Sequence, residues 1–262
     1  MLRRMVAKQP AQNACPRAAL VTGAGRRIGR AIALDLARQG WAVAVHYNTA
    51  AEDAAAVVDE IEAAGGRAVA IAADLTNEAD VDALLPRATG AIGPIGCLVN
   101  NAAVFEPDTA ETATRASWDN HLEPNLRAPF VLSQAFARAL PADAGGVIIN
   151  MLDERVWSLT PHFLSYTLSK TGLWTLTRTL ALALAPRIRV NGIGPGPALP
   201  SARQTDAEFA HQCASVPLGR GTTPDEICTA VRFLLAAPSV TGQMIALDGG
   251  QHLAWAQGTV SE

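Results

Sequence analysis

The stretch LVTGAGRRIGRAIALDLARQG, residues 20–40, decides the fold. An apolar run ends at Val21, the glycines Gly23, Gly25 and Gly29 crowd the next turn, and apolar residues then recur with helical period. The pattern reads as strand, tight loop and helix. Glycines permit a sharp turn and close backbone approach, so the helix N-terminus can offer N–H groups and partial positive charge to a pyrophosphate. Glycine also serves ordinary turns and helix packing; the strand-loop-helix setting is what points this loop at a dinucleotide.

The same alternation continues outward. Runs rich in Val, Ile and Ala predict strands near 17–22, 41–47, 67–73, 95–99, 145–152, 187–193 and 243–247. Helical periodicity predicts helices over 28–39, 50–64, 77–89, roughly 112–139, 163–185 and 224–237. Strands such as GCLVNN and GVIINM are nearly continuous in apolar residues, as expected where helices cover both faces of a parallel sheet. The expected fold is therefore α/β, a Rossmann-type doubly wound sheet of seven parallel strands in a single domain over 17–262, with a ligand crevice beyond the strand C-termini. Residues 194–222 break the rhythm with Pro and Gly, which suggests a substrate lid. Residues 1–16 read as a flexible basic tail.

Bulk properties narrow the function. The chain has 262 residues, 49% of them hydrophobic, and a net charge of −3. It offers no broad basic field for nucleic acid and no apolar run approaching the ~20 residues that cross a bilayer. A small-molecule substrate is the default partner. Cys15, Cys97, Cys213 and Cys228 lack C-x-x-C spacing, so neither a metal site nor a disulfide framework is indicated. A cytoplasmic setting is expected.

The second strand ends in His46, Tyr47 and Asn48, where an NAD site would place a carboxylate for the ribose 2′-hydroxyl; the nearest acid is Glu52. Arg27 lies inside the glycine loop, and a guanidinium can hold a 2′-phosphate with two directed bonds. NADP(H) is thus the expected cofactor. Asp74, closing the third strand, suits either the adenine amino group or the start of the next helix. Asn100 and Asn101 follow the fourth strand beside small alanines.

Tyr166 and Lys170 stand four residues apart, so on a helix they share one face. A nearby ammonium lowers the cost of moving the phenolic proton. Together with TGAGRRIG, NNA, Asn125 in EPNLRAPF and IRVNGIGPG, this pair resembles the short-chain dehydrogenase/reductase family over residues 17–255. The resemblance implies Tyr166 as proton donor, Lys170 as a ribose ligand that tunes the phenol, and Asn125 as part of a water-linked proton path. It implies cofactor contacts at Gly23, Arg27, Ile28, Gly29, His46, Tyr47, Asn48, Asp74, Leu75, Asn101, Ala102, Tyr166, Lys170, Pro195 and Gly196.

The family's usual serine lies thirteen residues before the tyrosine, and that position is Asp153. Ser158 and Ser165 are too close to Tyr166 to replace it. An ionised carboxylate would repel a developing oxyanion, but it suits a heterocycle with N–H donors and a ring nitrogen awaiting a proton. The sequence is similar here to the pteridine reductase branch, as are GAGRRIGRAIA, AVHYN and NNAAVFEPD. That branch implies Phe105 stacking on a pterin, with Asp153 and Tyr166 as the other substrate contacts. Ala103 and Val104 depart from it, and Phe209 is the single aromatic of the lid segment.

The leading expectation is an NADPH-dependent reductase acting on a pteridine C=N bond. A 3-oxoacyl-thioester reductase, a non-catalytic dinucleotide-binding sensor, and a structural Asp153 paired with Arg155 stay open. The apolar helix carrying Tyr166 fits burial against a second subunit, and the family resemblance implies a homotetramer.

Overall fold

Successive strand residues face opposite sides of a sheet, and here both sides are apolar. Leu20, Ala44, Leu98 and Ile148 belong to one core, whereas Val21, Val43, Val99 and Ile149 belong to the other. The chain must therefore cover both faces with helices. In the computed structural model, which describes residues 14–201 and 203–253, it does so.

The seven strands are β1 (Ala18–Val21), β2 (Ala42–Tyr47), β3 (Ala68–Ala72), β4 (Cys97–Asn100), β5 (Gly146–Met151), β6 (Ile188–Pro195) and β7 (Met244–Leu247). They pair in parallel in the order β3-β2-β1-β4-β5-β6-β7. The chain reverses its winding between β1 and β4, and such a switch point opens a crevice at the strand C-termini.

The α-helices are α1 (Arg27–Arg38), α2 (Ala51–Ala63), α3 (Glu78–Ile92), α4 (Arg115–Leu122), α5 (Ala128–Ala139), α6 (Leu164–Leu184), α7 (Asp206–Ala214) and α8 (Pro224–Ala236). Ile32, Leu36, Val57, Ile61, Val231 and Leu234 place α1, α2 and α8 on one face; Leu84, Leu85, Phe136 and Leu180 place α3, α5 and α6 on the other.

Several boundaries differ from the expected ones. The helix expected over 112–139 is α4 and α5 joined by a π-helical turn, Glu123–Arg127, which carries Asn125. Helix α3 runs through Pro86 and stops only at Gly93, whose φ of 91° leaves the helical region. Strand β6 continues to Pro195, delivering the chain directly to the crevice. Residues 14–16 do not behave as a tail: Gly145 N–H donates to Ala14 O over 3.2 Å, and Cys15 packs against Gly96. Residues 1–13 of the expected tail, and residues 254–262 of the expected domain, lie outside the described residues. Among the described residues no helix is long and apolar enough to cross a membrane.

Candidate active site

A cleft of about 410 Å3 opens at the C-terminal end of the sheet, with Asp153, Tyr166, Lys170, Phe105, Pro195 and Gly196 in its wall. Strand β5 ends at Met151 and the chain turns into a short 3-10 segment, Glu154–Val156, capped by the Asp153 side chain. Helix α6 presents Tyr166 and Lys170 to the same place.

The Tyr166 phenol donates to Asp153 Oδ2 over 2.7 Å. Asp153 Oδ1 accepts from the Arg155 N–H over 2.9 Å and from the Arg155 guanidinium over 3.3 Å. The aspartate thus faces the phenol and is paired with Arg155 at once. Lys170 Nζ donates to Met151 O over 2.7 Å and stands 5.8 Å from the Tyr166 ring centre. Burial, followed by the Asp153 carboxylate, pushes the phenol well above its ordinary pKa. Burial pulls Lys170 down to about 8. Glu154 was not anticipated: it is buried, its Oε2 lacks a partner among the described residues, and desolvation and then Asp153 raise it to about 7.

Asn125 is fully buried, and its amide exchanges two hydrogen bonds with Val104, at 2.8 and 2.9 Å, and donates to Ser169 Oγ over 3.1 Å. Its side chain holds the loop after β4. The expected water-linked path would have to use the main chain of the π-helical turn, a feature frequent at functional sites.

Phe105 stacks on Phe163, ring centres 4.3 Å apart, and meets Tyr166 edge-on at 4.7 Å. Phe163 has a left-handed backbone, φ 59°. The guanidiniums of Arg155 and Arg203 lie over the Phe105 ring at 5.4 and 5.3 Å. Arg203, in the segment after β6, also donates to Phe105 O and pairs with Glu106, each at 2.7 Å. Neither Phe163 nor Arg203 carries a local sequence signal, because both reach the site from distant segments. Phe209 also lines the cleft.

At the glycine loop, a Cβ on Gly23 would approach Ala102 Cα to 3.0 Å, and one on Gly29 would come within 2.2 Å of Gly23 O. Asn101 binds the loop through Thr22 O, at 2.8 Å, and Gly23 O, at 3.2 Å. Ile28 lines the cleft, and Gly196 is fixed by its bond to Leu247 O at 3.0 Å.

Several residues expected at the cofactor make contacts within the protein. Arg27 takes a φ of 53° and donates to Pro200 O at 2.8 Å and Leu199 O at 3.2 Å, tying the loop to the segment after β6. Arg26 instead pairs with Asp53 at 2.5 Å, where the loop meets the start of α2 and the end of β2. His46 is 1% exposed: Gly23 N–H donates to its Nδ1 over 2.9 Å, and its Nε2–H reaches Ala73 O over 3.1 Å. It braces the loop from beneath. Burial holds it neutral, with a pKa of about 4. Leu75 is a core side chain, and Asp74 Oδ1 is engaged by Thr76 in its own turn at 2.9 and 2.8 Å. Tyr47 is half-buried and Asn48 exposed at the end of β2. Ser165 is buried in a separate network with Asp108 and His121.

A family model described as enoyl-(acyl carrier protein) reductase matches residues 23–252. The chain is 34% identical over 244 residues, 90% of its length and 98% of the relative, to the 3-oxoacyl-[acyl-carrier-protein] reductase FabG of Staphylococcus aureus. The chain belongs to the short-chain dehydrogenase/reductase family.

Within that oxidoreductase family, its fold is close to FolM alternative dihydrofolate reductase 1 from Brucella suis, solved in complex with NADP. The two share 48% identity with a TM-score of 0.89, over 92% of this chain and 96% of that one. The Brucella canis protein of the same name, also with NADP, gives 47% and 0.91 over 96% of this chain and all of that one. Asp153 stands where the family resemblance implied a serine.

Proposed function

We propose that the protein is an NADPH-dependent reductase that delivers hydride to a C=N bond of a pteridine or dihydropteridine. The carrying observation is the 2.7 Å bond from the Tyr166 phenol to Asp153 in the cleft wall. The two Brucella relatives, named as dihydrofolate reductases in complex with NADP, support both cofactor and substrate class.

The glycine loop packs too tightly for side chains at Gly23, against Ala102, and at Gly29, against the Gly23 carbonyl; its backbone at the start of α1 would take the pyrophosphate. NADPH, when bound, supplies the hydride. Arg26 would meet its 2′-phosphate by leaving Asp53, an exposed pair that is weak in water. Lys170 would hold the nicotinamide ribose while its charge steadies the phenol, and Asn101 and Gly196 would border the ring.

Tyr166, whose single O–H is held by Asp153, would turn it to a ring nitrogen and donate its proton there as that nitrogen becomes basic. Arg155 and Lys170 would offset the negative charge left behind, and Asp153 would return a proton from solvent. Phe105 would offer the pterin a stacking face, worth roughly 0.5–1.5 kcal/mol beyond burial. The segment 194–222 would act as a lid, held by Arg27 and Arg203.

A second reading is a 3-oxoacyl-thioester reductase, favoured by the similarity to FabG. Side-by-side NADPH oxidation with dihydrobiopterin and an acetoacetyl thioester separates the two. We also propose a homotetramer in a reducing, cytoplasmic setting. Leu182 on α6 and Phe233 on α8 are 84% and 53% exposed, and the four cysteines are free. Sedimentation as a monomer would contradict the assembly.

A further inference from the structure

A second cavity, of about 670 Å3, lies at the opposite end of the sheet from the catalytic cleft, where β1, β5 and β6 begin and α8 ends. Among the described residues, every charged side chain in its wall is a guanidinium: Arg17, Arg187, Arg189 and Arg232. In a protein whose net charge is −3, that is a local reversal of sign.

Among the described residues only Arg232 meets a carboxylate, that of Asp35. The others donate to main-chain carbonyls: Arg17 to Gln39 O at 3.0 Å, Arg187 to Ala137 O at 3.1 Å, and Arg189 to Leu234 O at 2.7 Å and Leu235 O at 3.1 Å. Those carbonyls close α1, α5 and α8. A helix C-terminus carries about half a negative charge, so three of them offset only about half of three guanidinium charges. The remaining positive charge faces a concave space, part of whose wall is apolar: Val147, Pro186 and Leu235. Low-dielectric walls focus such a field.

The guanidiniums come from the chain before β1, the start of β6 and the flank of α8, so they reach the wall from several segments. That arrangement suits the oxygens of phosphate better than the single plane of one carboxylate. We propose that this cavity binds a phosphorylated small molecule, independently of the cofactor crevice. Arg17, Arg187 and Arg189 bind the ends of α1, α5 and α8 respectively, and burial shifts Arg189 downward in pKa.

The test titrates inorganic pyrophosphate into the full-length protein already saturated with NADP+, which fills the phosphate site at the other end. Saturable binding is expected, weakened at least about tenfold by Arg17→Gln and by Arg187→Gln but unchanged by Arg178→Gln on the exposed face of α6. In the unsubstituted protein, pyrophosphate should slow alkylation of Cys15, which lines the cavity, and leave Cys213 on α7 unaffected. Absence of saturable binding, equal weakening by Arg178→Gln, or unaltered Cys15 alkylation would overturn the proposal. Citrate binding as tightly as pyrophosphate would overturn the phosphate assignment.

Discussion

Tyr166 Oη stands 2.7 Å from Asp153 Oδ2 and donates to it, so the phenol at the cleft wall is bonded to an acid rather than to a serine hydroxyl. The geometry supplies an acceptor that aims the phenolic proton, and Arg155 keeps that acceptor in place. Under the proposed function, the pair serves a substrate that takes a proton on nitrogen.

Tyr166→Phe should lower reduction of a dihydropteridine by about 10²- to 10⁴-fold, the usual worth of a positioned acid. NADPH binding, followed by fluorescence titration, should change little. Turnover equal to that of the unsubstituted protein would remove Tyr166 as the donor.

Asp153→Ser restores the hydroxyl common in the family. It should cost dihydropteridine turnover about a hundredfold while improving reduction of an acetoacetyl thioester. If both rates fall in equal proportion, Asp153 serves the scaffold and not substrate choice.

Lys170, pulled down to about 8 by burial, is charged below that pH and neutral above it. Loss of its charge makes a phenolate costlier, so kcat/KM for reduction should fall as pH rises through about 8. A flat profile from pH 7 to pH 9.5 would contradict this role.

Stability should carry two opposing pH dependences. His46 is depressed from 6.5 to about 4, so the unfolded chain binds the extra proton between those values. Its contribution, about 3 kcal/mol at most, is full above 6.5 and fades as pH falls toward 4. Glu154 is raised from 4.5 to about 7, so its contribution is full below 4.5 and fades as pH rises to 7. In Glu154→Gln, denaturant melts should show stability rising more steeply from pH 4.5 to 6.5 than in the parent protein. An unchanged slope would mean that Glu154 titrates normally.

Arg26→Ala should weaken NADPH binding at least about tenfold and leave NADH nearly untouched, as expected for a lost charge-assisted phosphate contact. Arg27→Ala should chiefly loosen the segment around Leu199 and Pro200. The reverse pattern in paired titrations would return the 2′-phosphate to Arg27.

The fold was legible because strands such as GVIINM announce a sheet covered on both faces, and the glycine loop fixes where its crevice lies. The meeting of Tyr166, Lys170 and Asp153 in one cleft was legible because the first two share a helical face and Asp153 sits at a countable distance. What could not be read was direction. Arg26 and Arg27 are adjacent, and only the loop backbone, left-handed at Arg27, sends one toward α2 and the other across the cleft. His46 fits a strand end in sequence, but the pleat turns it inward beneath Gly23. Phe163, Arg203 and Glu154 join the site through contacts that no local periodicity encodes.

The most direct test of the account follows NADPH oxidation with dihydrobiopterin, dihydrofolate and an acetoacetyl thioester under identical conditions. Turnover of a dihydropteridine, with little or none on the thioester, is the predicted result; efficient reduction of the thioester alone would contradict it.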